Sequence, residues 1–184
     1  MTIHRVIVLD GHDGAGKTYL ARALADWSGG LYVRPFSGST GTALMNAGEA
    51  DDVDQLAAVG ERAIITAMER AGERRPIILD RGWMTVASLC AASQLQAFLD
   101  RWTLWMPTAL CWADLPTTLA RLSSRDEHQE SVAWHEHYLR MYWSLAERSS
   151  SLIVRTDIQA RAQCVQLLSD WAISHGVCHT EVNR

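Results

Sequence analysis

Residues 9–18 read Leu-Asp-Gly-His-Asp-Gly-Ala-Gly-Lys-Thr. Gly11, Gly16, Lys17 and Thr18 fit G-x-x-x-x-G-K-[ST], the phosphate-binding P-loop. The residue types explain the chemistry. Glycines let the backbone curl so that successive N–H groups point inward at an anion. The loop atoms from Gly11, His12, Asp13, Gly14, Ala15 and Gly16 through Lys17, Thr18 and Tyr19 are the candidate phosphate cradle. Lys17 is placed to reach β- and γ-phosphates, and the Thr18 hydroxyl to meet Mg²⁺. A second candidate pair, Asp80-Arg81, ends the apolar run Pro76-Ile77-Ile78-Leu79. A carboxylate there suits magnesium, and a guanidinium suits phosphate because its planar fork meets two oxygens at once.

A loop of this kind works only between a buried strand and a helix, and both are predicted. Residues 3–9 form a β-branched apolar run, read as a parallel strand. Tyr19, Leu20, Ala23, Leu24 and Trp27 then recur at helical spacing up to Gly29-Gly30. Further strands are predicted at 31–33, 76–80, 108–113 and 152–154. Residues 37–41 read as loop beside the second substrate. The stripe Val53, Leu56, Ala57, Gly60, Ala63, Ile64 predicts a long helix over 51–71, stopped by Gly72, with Asp51-Asp52 suited to its N-terminus. Shorter helices are predicted at 83–92, 94–105 and 117–123, then longer ones at 131–148 and 159–175. Strands alternating with helices imply an α/β architecture: a P-loop NTPase three-layer sandwich, with a five-stranded parallel sheet flanked by helices. The expectation is one domain over 1–184, with a short lid at 121–131. In a parallel sheet ligands sit beyond the carboxyl ends of the strands, so Asp80 and Arg81 should lie beside the P-loop.

The 184 residues carry a net charge of −4, so no global basic field points to a nucleic-acid polymer. No apolar run approaches the ~20 residues that span a bilayer, and because the first strand is expected almost at the first residue, no signal peptide is expected. Cys90, Cys111, Cys164 and Cys178 show no C-x-x-C spacing and read as free thiols of a cytoplasmic protein. His135-Glu136-His137 lacks metal-ligand spacing, so a solvated helix face without zinc is expected.

Asp13-Gly14-Ala15-Gly16-Lys17-Thr18, Tyr32-Val33-Arg34-Pro35, Glu61-Arg62-Ala63, Leu79-Asp80-Arg81 and the arginines Arg121 and Arg125 together resemble the thymidylate kinase group of nucleoside monophosphate kinases. The resemblance spreads over most of the chain, in short motifs. It implies that Gly11 to Thr18 bind ATP and Mg²⁺, and that Asp13 lies near the acceptor's sugar. Arg34 and Arg81 would hold the acceptor's phosphate, with Arg62 against its base or phosphate. Some members carry a catalytic basic residue where this chain has Ala15, and others supply it from the lid. This chain resembles the second kind, with Arg121 or Arg125 catalytic beside Lys17 and Asp80. The resemblance also implies a homodimer.

Phosphoryl transfer needs positioning and positive charge more than covalent help from protein, which fits this residue set. Two departures bear on the acceptor. Gly82 follows Arg81 where an aromatic is usual, and Leu89 and Cys90 stand where a tyrosine and a polar group are usual. The reading is an ATP-dependent kinase of a nucleotide. The alternatives are a kinase acting on the hydroxyl of a nucleoside or other small molecule, with Asp13 or Asp80 as base, and an ATP-binding regulatory module.

Overall fold

A computed structural model describes residues 5–71, 75–124 and 130–177. Five strands, β1 (Val6–Asp10), β2 (Leu31–Val33), β3 (Ile77–Asp80), β4 (Thr108–Trp112) and β5 (Leu152–Arg155), pair in parallel in the order β2-β3-β1-β4-β5. The central strands are buried on both faces, as their unbroken apolar runs require. In β1, Val6 and Val8 face one layer, and Ile7 and Leu9 the other.

The Ile7–Leu9 layer is covered by α1 (Lys17–Ser28) and α8 (Arg161–Ser174), through Leu20, Leu24, Cys164 and Leu168. The opposite layer holds α2 (Ser39–Glu49), α3 (Val53–Ala71), α4 (Trp83–Ala87), α5 (Leu95–Arg101) and α7 (Val132–Arg148). The helix α6 (Leu115–Ser123) follows β4; Asp114 caps it, accepting from the Thr117 N–H at 2.9 Å. These layers are the α/β sandwich expected.

Three expectations are corrected. The loop expected over 37–41 gives way at Ser39 to α2, which buries only Leu44 and Ala47 and so leaves a weak apolar stripe in a segment rich in glycine and hydroxyls. The helix expected to run to Ala92 ends at Ala87, where Leu89 and Cys90 tighten into i→i+3 bonds on Val86 and Ala87. Every residue of α4 is buried, so no amphipathic period marks its end. The helix expected over 94–105 is reduced to α5, preceded by a 3₁₀ turn. α3 starts two residues beyond the expected bound, and the acidic pair before it serves its N-terminus: the Asp52 carboxylate accepts from the Gln55 N–H at 2.9 Å. Gly72, the expected stop, lies outside the described residues, as do Cys178 and, within the expected lid, Arg125. Cys90, Cys111 and Cys164 are free and buried, and burial pushes the Cys111 thiol up to about 12.

Candidate active site

The loop between β1 and α1 is set by a close approach. A Cβ on Gly11 would lie 2.2 Å from the Cys111 carbonyl oxygen, and Gly11 sits at φ +139°. Only glycine lets the loop leave β1 against β4 in this way. Gly16, also at positive φ, then feeds α1, so the first N–H groups of that helix face the cradle. Lys17 is buried, and its ammonium donates to the His12 carbonyl at 2.8 Å, 3.9 Å from the Asp13 carboxylate. Burial and the neighbouring Arg81 charge lower its pKa to about 8, against the opposing pull of Asp13 and Asp80.

Asp80 ends β3 level with Leu9 of β1 and lies 2% exposed. Its Oδ2 accepts from the Thr18 hydroxyl at 2.7 Å and the Tyr32 hydroxyl at 2.8 Å, with Arg34 Nε at 4.0 Å. Its Oδ1 is buried with no hydrogen-bond partner among the described residues. Arg81 follows at φ +88°, a conformation rare outside glycine and a local strain. That turn aims its guanidinium back over the loop, where it pairs with Asp13. Burial raises the Asp13 carboxyl, but Arg81 and Lys17 outweigh it and hold its pKa below the ordinary value. A cleft of about 330 Å³ results, walled by Asp13, Lys17, Thr18, Arg34, Asp80 and Arg81. Three cations there face two carboxylates, which leaves room for an added anion.

Arg62 does not line this cleft. It lines a larger groove of about 930 Å³ beside the β2 edge, into which Arg34 also reaches, so the two spaces adjoin at Arg34. Arg121 also stands elsewhere than expected. Its guanidinium donates to the Gly14 carbonyl at 2.9 Å, the Thr156 hydroxyl at 3.0 Å and the Thr156 carbonyl at 2.7 Å. It walls a third cavity, of about 320 Å³, with Tyr19, Thr156, Gln159 and Arg161. Tyr19 is half exposed, with the Arg161 guanidinium 5.0 Å over its ring. Ala15 is fully buried and its carbonyl accepts from Thr156 at 3.0 Å.

The side chain of His12 points away from the cradle. Its Nε2 lies 2.8 Å from Nδ1 of His135 on α7, and its ring stacks on Tyr138 with centroids 5.8 Å apart. His135 is 5% exposed, which corrects the expected solvated face at that residue; Glu136 and His137 are exposed. The sequence signal was the one-residue step itself: residues two apart on a helix take different environments. Asp10 was also missed. Fully buried, it accepts from the Gly82 and Met84 N–H groups at 3.0 and 3.1 Å and from the Thr85 hydroxyl at 2.5 Å. Burial, only partly offset by Thr85 and Arg81, raises its pKa. Asp10 thus ties the segment after Asp80-Arg81 to β1. Tyr32 was overlooked too, although it stands two residues before Arg34 at a strand end.

No sequence-family model and no curated protein matches the chain. Solved structures do. Thymidylate kinase from Candida albicans superposes with a TM-score of 0.68 at 14% identity, covering 94% of this chain and 92% of its own. Deoxyadenosine kinase from M. mycoides, with products dCMP and dCDP bound, superposes at 0.60 and 12% identity, covering 92% and 98%. The same enzyme with dCTP bound gives 0.58. The fold of this chain is therefore the one shared by these kinases.

Proposed function

We propose that the protein is an ATP-dependent phosphotransferase whose acceptor is a nucleotide, similar in action to thymidylate kinase. The observation that carries this is the cleft in which Lys17, Arg34 and Arg81 converge on the P-loop mouth beside Asp80. A cationic excess at that point suits a second phosphate facing the first, and positioning plus charge is what transfer requires. The donor triphosphate takes the loop, with Lys17 leaving the His12 carbonyl for the phosphates. The donor base takes the cavity walled by Tyr19, Arg121, Thr156 and Gln159. The acceptor phosphate takes Arg34 and Arg81, with Arg62 approaching it from the groove that adjoins at Arg34. The lid over 121–131 excludes water on closing, and the charge that Ala15 lacks falls to Arg125, with Arg121 bracing the outside of the loop.

The donor set fits Mg²⁺. The orphaned, buried Oδ1 of Asp80 and the adjacent Thr18 hydroxyl are hard oxygen ligands of the kind that ion takes. When bound, the ion neutralises phosphate charge. Among the described residues no helix is long and apolar enough to cross a membrane, and the three buried free thiols suit a reducing cytoplasm. The homodimer that the resemblance implies is tested by sedimentation of the purified chain.

A second reading draws on the same Asp80 Oδ1, which as a base would serve a hydroxyl acceptor such as a nucleoside. One experiment separates them. ATP is incubated with nucleoside monophosphates, nucleosides and small alcohols, and products are read by mass. The nucleotide reading expects ADP with nucleoside diphosphate. Nucleoside monophosphate as the product instead supports the hydroxyl reading, and ATP binding without acceptor-dependent ADP marks a regulatory module. Lys17→Ala is expected to lower kcat/KM by about 10²–10³-fold with the fold intact; full activity would overturn the assignment of the loop.

A further inference from the structure

The groove beside the β2 edge is larger than the cleft it adjoins, about 930 against 330 Å³. Among the described residues its lining includes four arginines, Arg34, Arg62, Arg70 and Arg75, and no aspartate or glutamate. In a chain of net charge −4 that is a strong local segregation. Arg62, Arg70 and Arg75 are exposed and form no ion pair among the described residues; Arg34 approaches only Asp80, at 4.0 Å.

The four fall into two pairs by simple geometry. The helix α3 descends beside the sheet before β3 rises again, so Arg62 lies toward the Asp80 end and Arg70 toward the opposite end. At about 1.5 Å of rise per residue, the step from Arg62 to Arg70 is about 12 Å. The strands give a matching distance. Leu31 is in register with Ile77 and Val33 with Leu79, so Arg34 is level with Asp80, while Arg75 precedes Ile77. At about 3.3 Å per residue that offset is about 16 Å. Between the pairs the wall is largely apolar, with Leu31, Val33, Ala63 and Ala67 beside Tyr32 and Thr66.

We propose that this groove holds an elongated ligand with an anionic group at each end, one seated between Arg34 and Arg62 and the other between Arg70 and Arg75. A guanidinium pair meets phosphate or carboxylate oxygens in a forked, charge-assisted contact, and the apolar wall takes the linking body of the ligand. A nucleoside monophosphate supplies only one of the two anionic groups. That the anion at the Arg34 end is the acceptor phosphate rests on the kinase reading; binding of the doubly anionic ligand does not.

The test uses calorimetric titration of the whole protein with octanediol bisphosphate, octyl phosphate and propanediol bisphosphate. The first is long enough to bridge the pairs, the second has one anionic end, and the third is too short. The expected result is that octanediol bisphosphate binds about tenfold or more tightly than octyl phosphate, and that propanediol bisphosphate shows no such gain. The double variant Arg70→Ala/Arg75→Ala, two exposed positions, removes the gain and leaves octyl phosphate binding as it was. Equal affinity of the two octyl compounds, or a gain that survives the double substitution, overturns the proposal. Phosphoryl transfer to nucleoside monophosphates is assayed separately. Its absence with the bridging gain intact rejects the kinase reading alone.

Discussion

Burial and the Arg81 guanidinium hold Lys17 down to about 8, so its charge is lost as pH rises through that value in the free protein. Since kcat/KM reports groups of the free enzyme, kcat/KM for ATP should fall on an alkaline limb with an apparent pKa of about 8. Lys17→Arg keeps the charge throughout, and its profile should lose that limb even though its absolute rate drops. A wild-type profile flat to pH 10 would show that Lys17 keeps its charge despite burial. The types of Lys17, Thr18, Asp80 and Arg81 were legible in the sequence because their roles attach to a fixed local frame: a loop, or a strand end. The same locality misled for Arg121. Nothing within its own helix announces that the Gly14 and Thr156 carbonyls will take up its guanidinium.

Contact between the loop and α7 rests on the His12–His135 pair, packed by Trp134 and Tyr138. Burial, with the charges of His135, Lys17 and Arg81, outweighs Asp13 and lowers the His12 pKa to about 4. In the unfolded chain His12 titrates near its ordinary value. Between about 4 and 6.5 the unfolded state therefore binds the extra proton, and stability falls as pH drops through that window. The loss is on the order of 3 kcal/mol across it. Urea midpoints measured from pH 7.5 to 4.5 should show this slope, and His12→Asn should flatten it. His135→Ala leaves His12 buried without its partner and should cost about 1–3 kcal/mol at neutral pH, read by the same midpoints. This pair was invisible in the sequence. Its members lie 123 positions apart, and the polar neighbours Glu136 and His137 make His135 read as solvated, although it stands in line with Leu139 and Tyr142 on the buried face of α7.

Stability of the whole molecule lies in two apolar layers pressed on one sheet, and in the close approaches between them. Phe98 on α5 is fully buried against Trp102, with centroids 5.3 Å apart, so Phe98→Ala should cost about 3–5 kcal/mol by thermal or urea unfolding. Gly11→Ala combines a 2.2 Å approach to the Cys111 carbonyl with φ +139° and should cost about 2–4 kcal/mol while lowering ATP affinity in the same preparation. By itself the sequence determined the strands, the glycine loop, the long helices and the candidate residues that line the cleft. Each follows from short-range causes: apolar period, glycine freedom and the charge at a strand end. Only the tertiary structure decided which cations share a space. Parallel register sets Arg34 beside Asp80, the strained turn at Arg81 sends its guanidinium to Asp13, and the downward run of α3 separates Arg62 from Arg70. Those placements depend on how distant segments pack, and no local pattern encodes them.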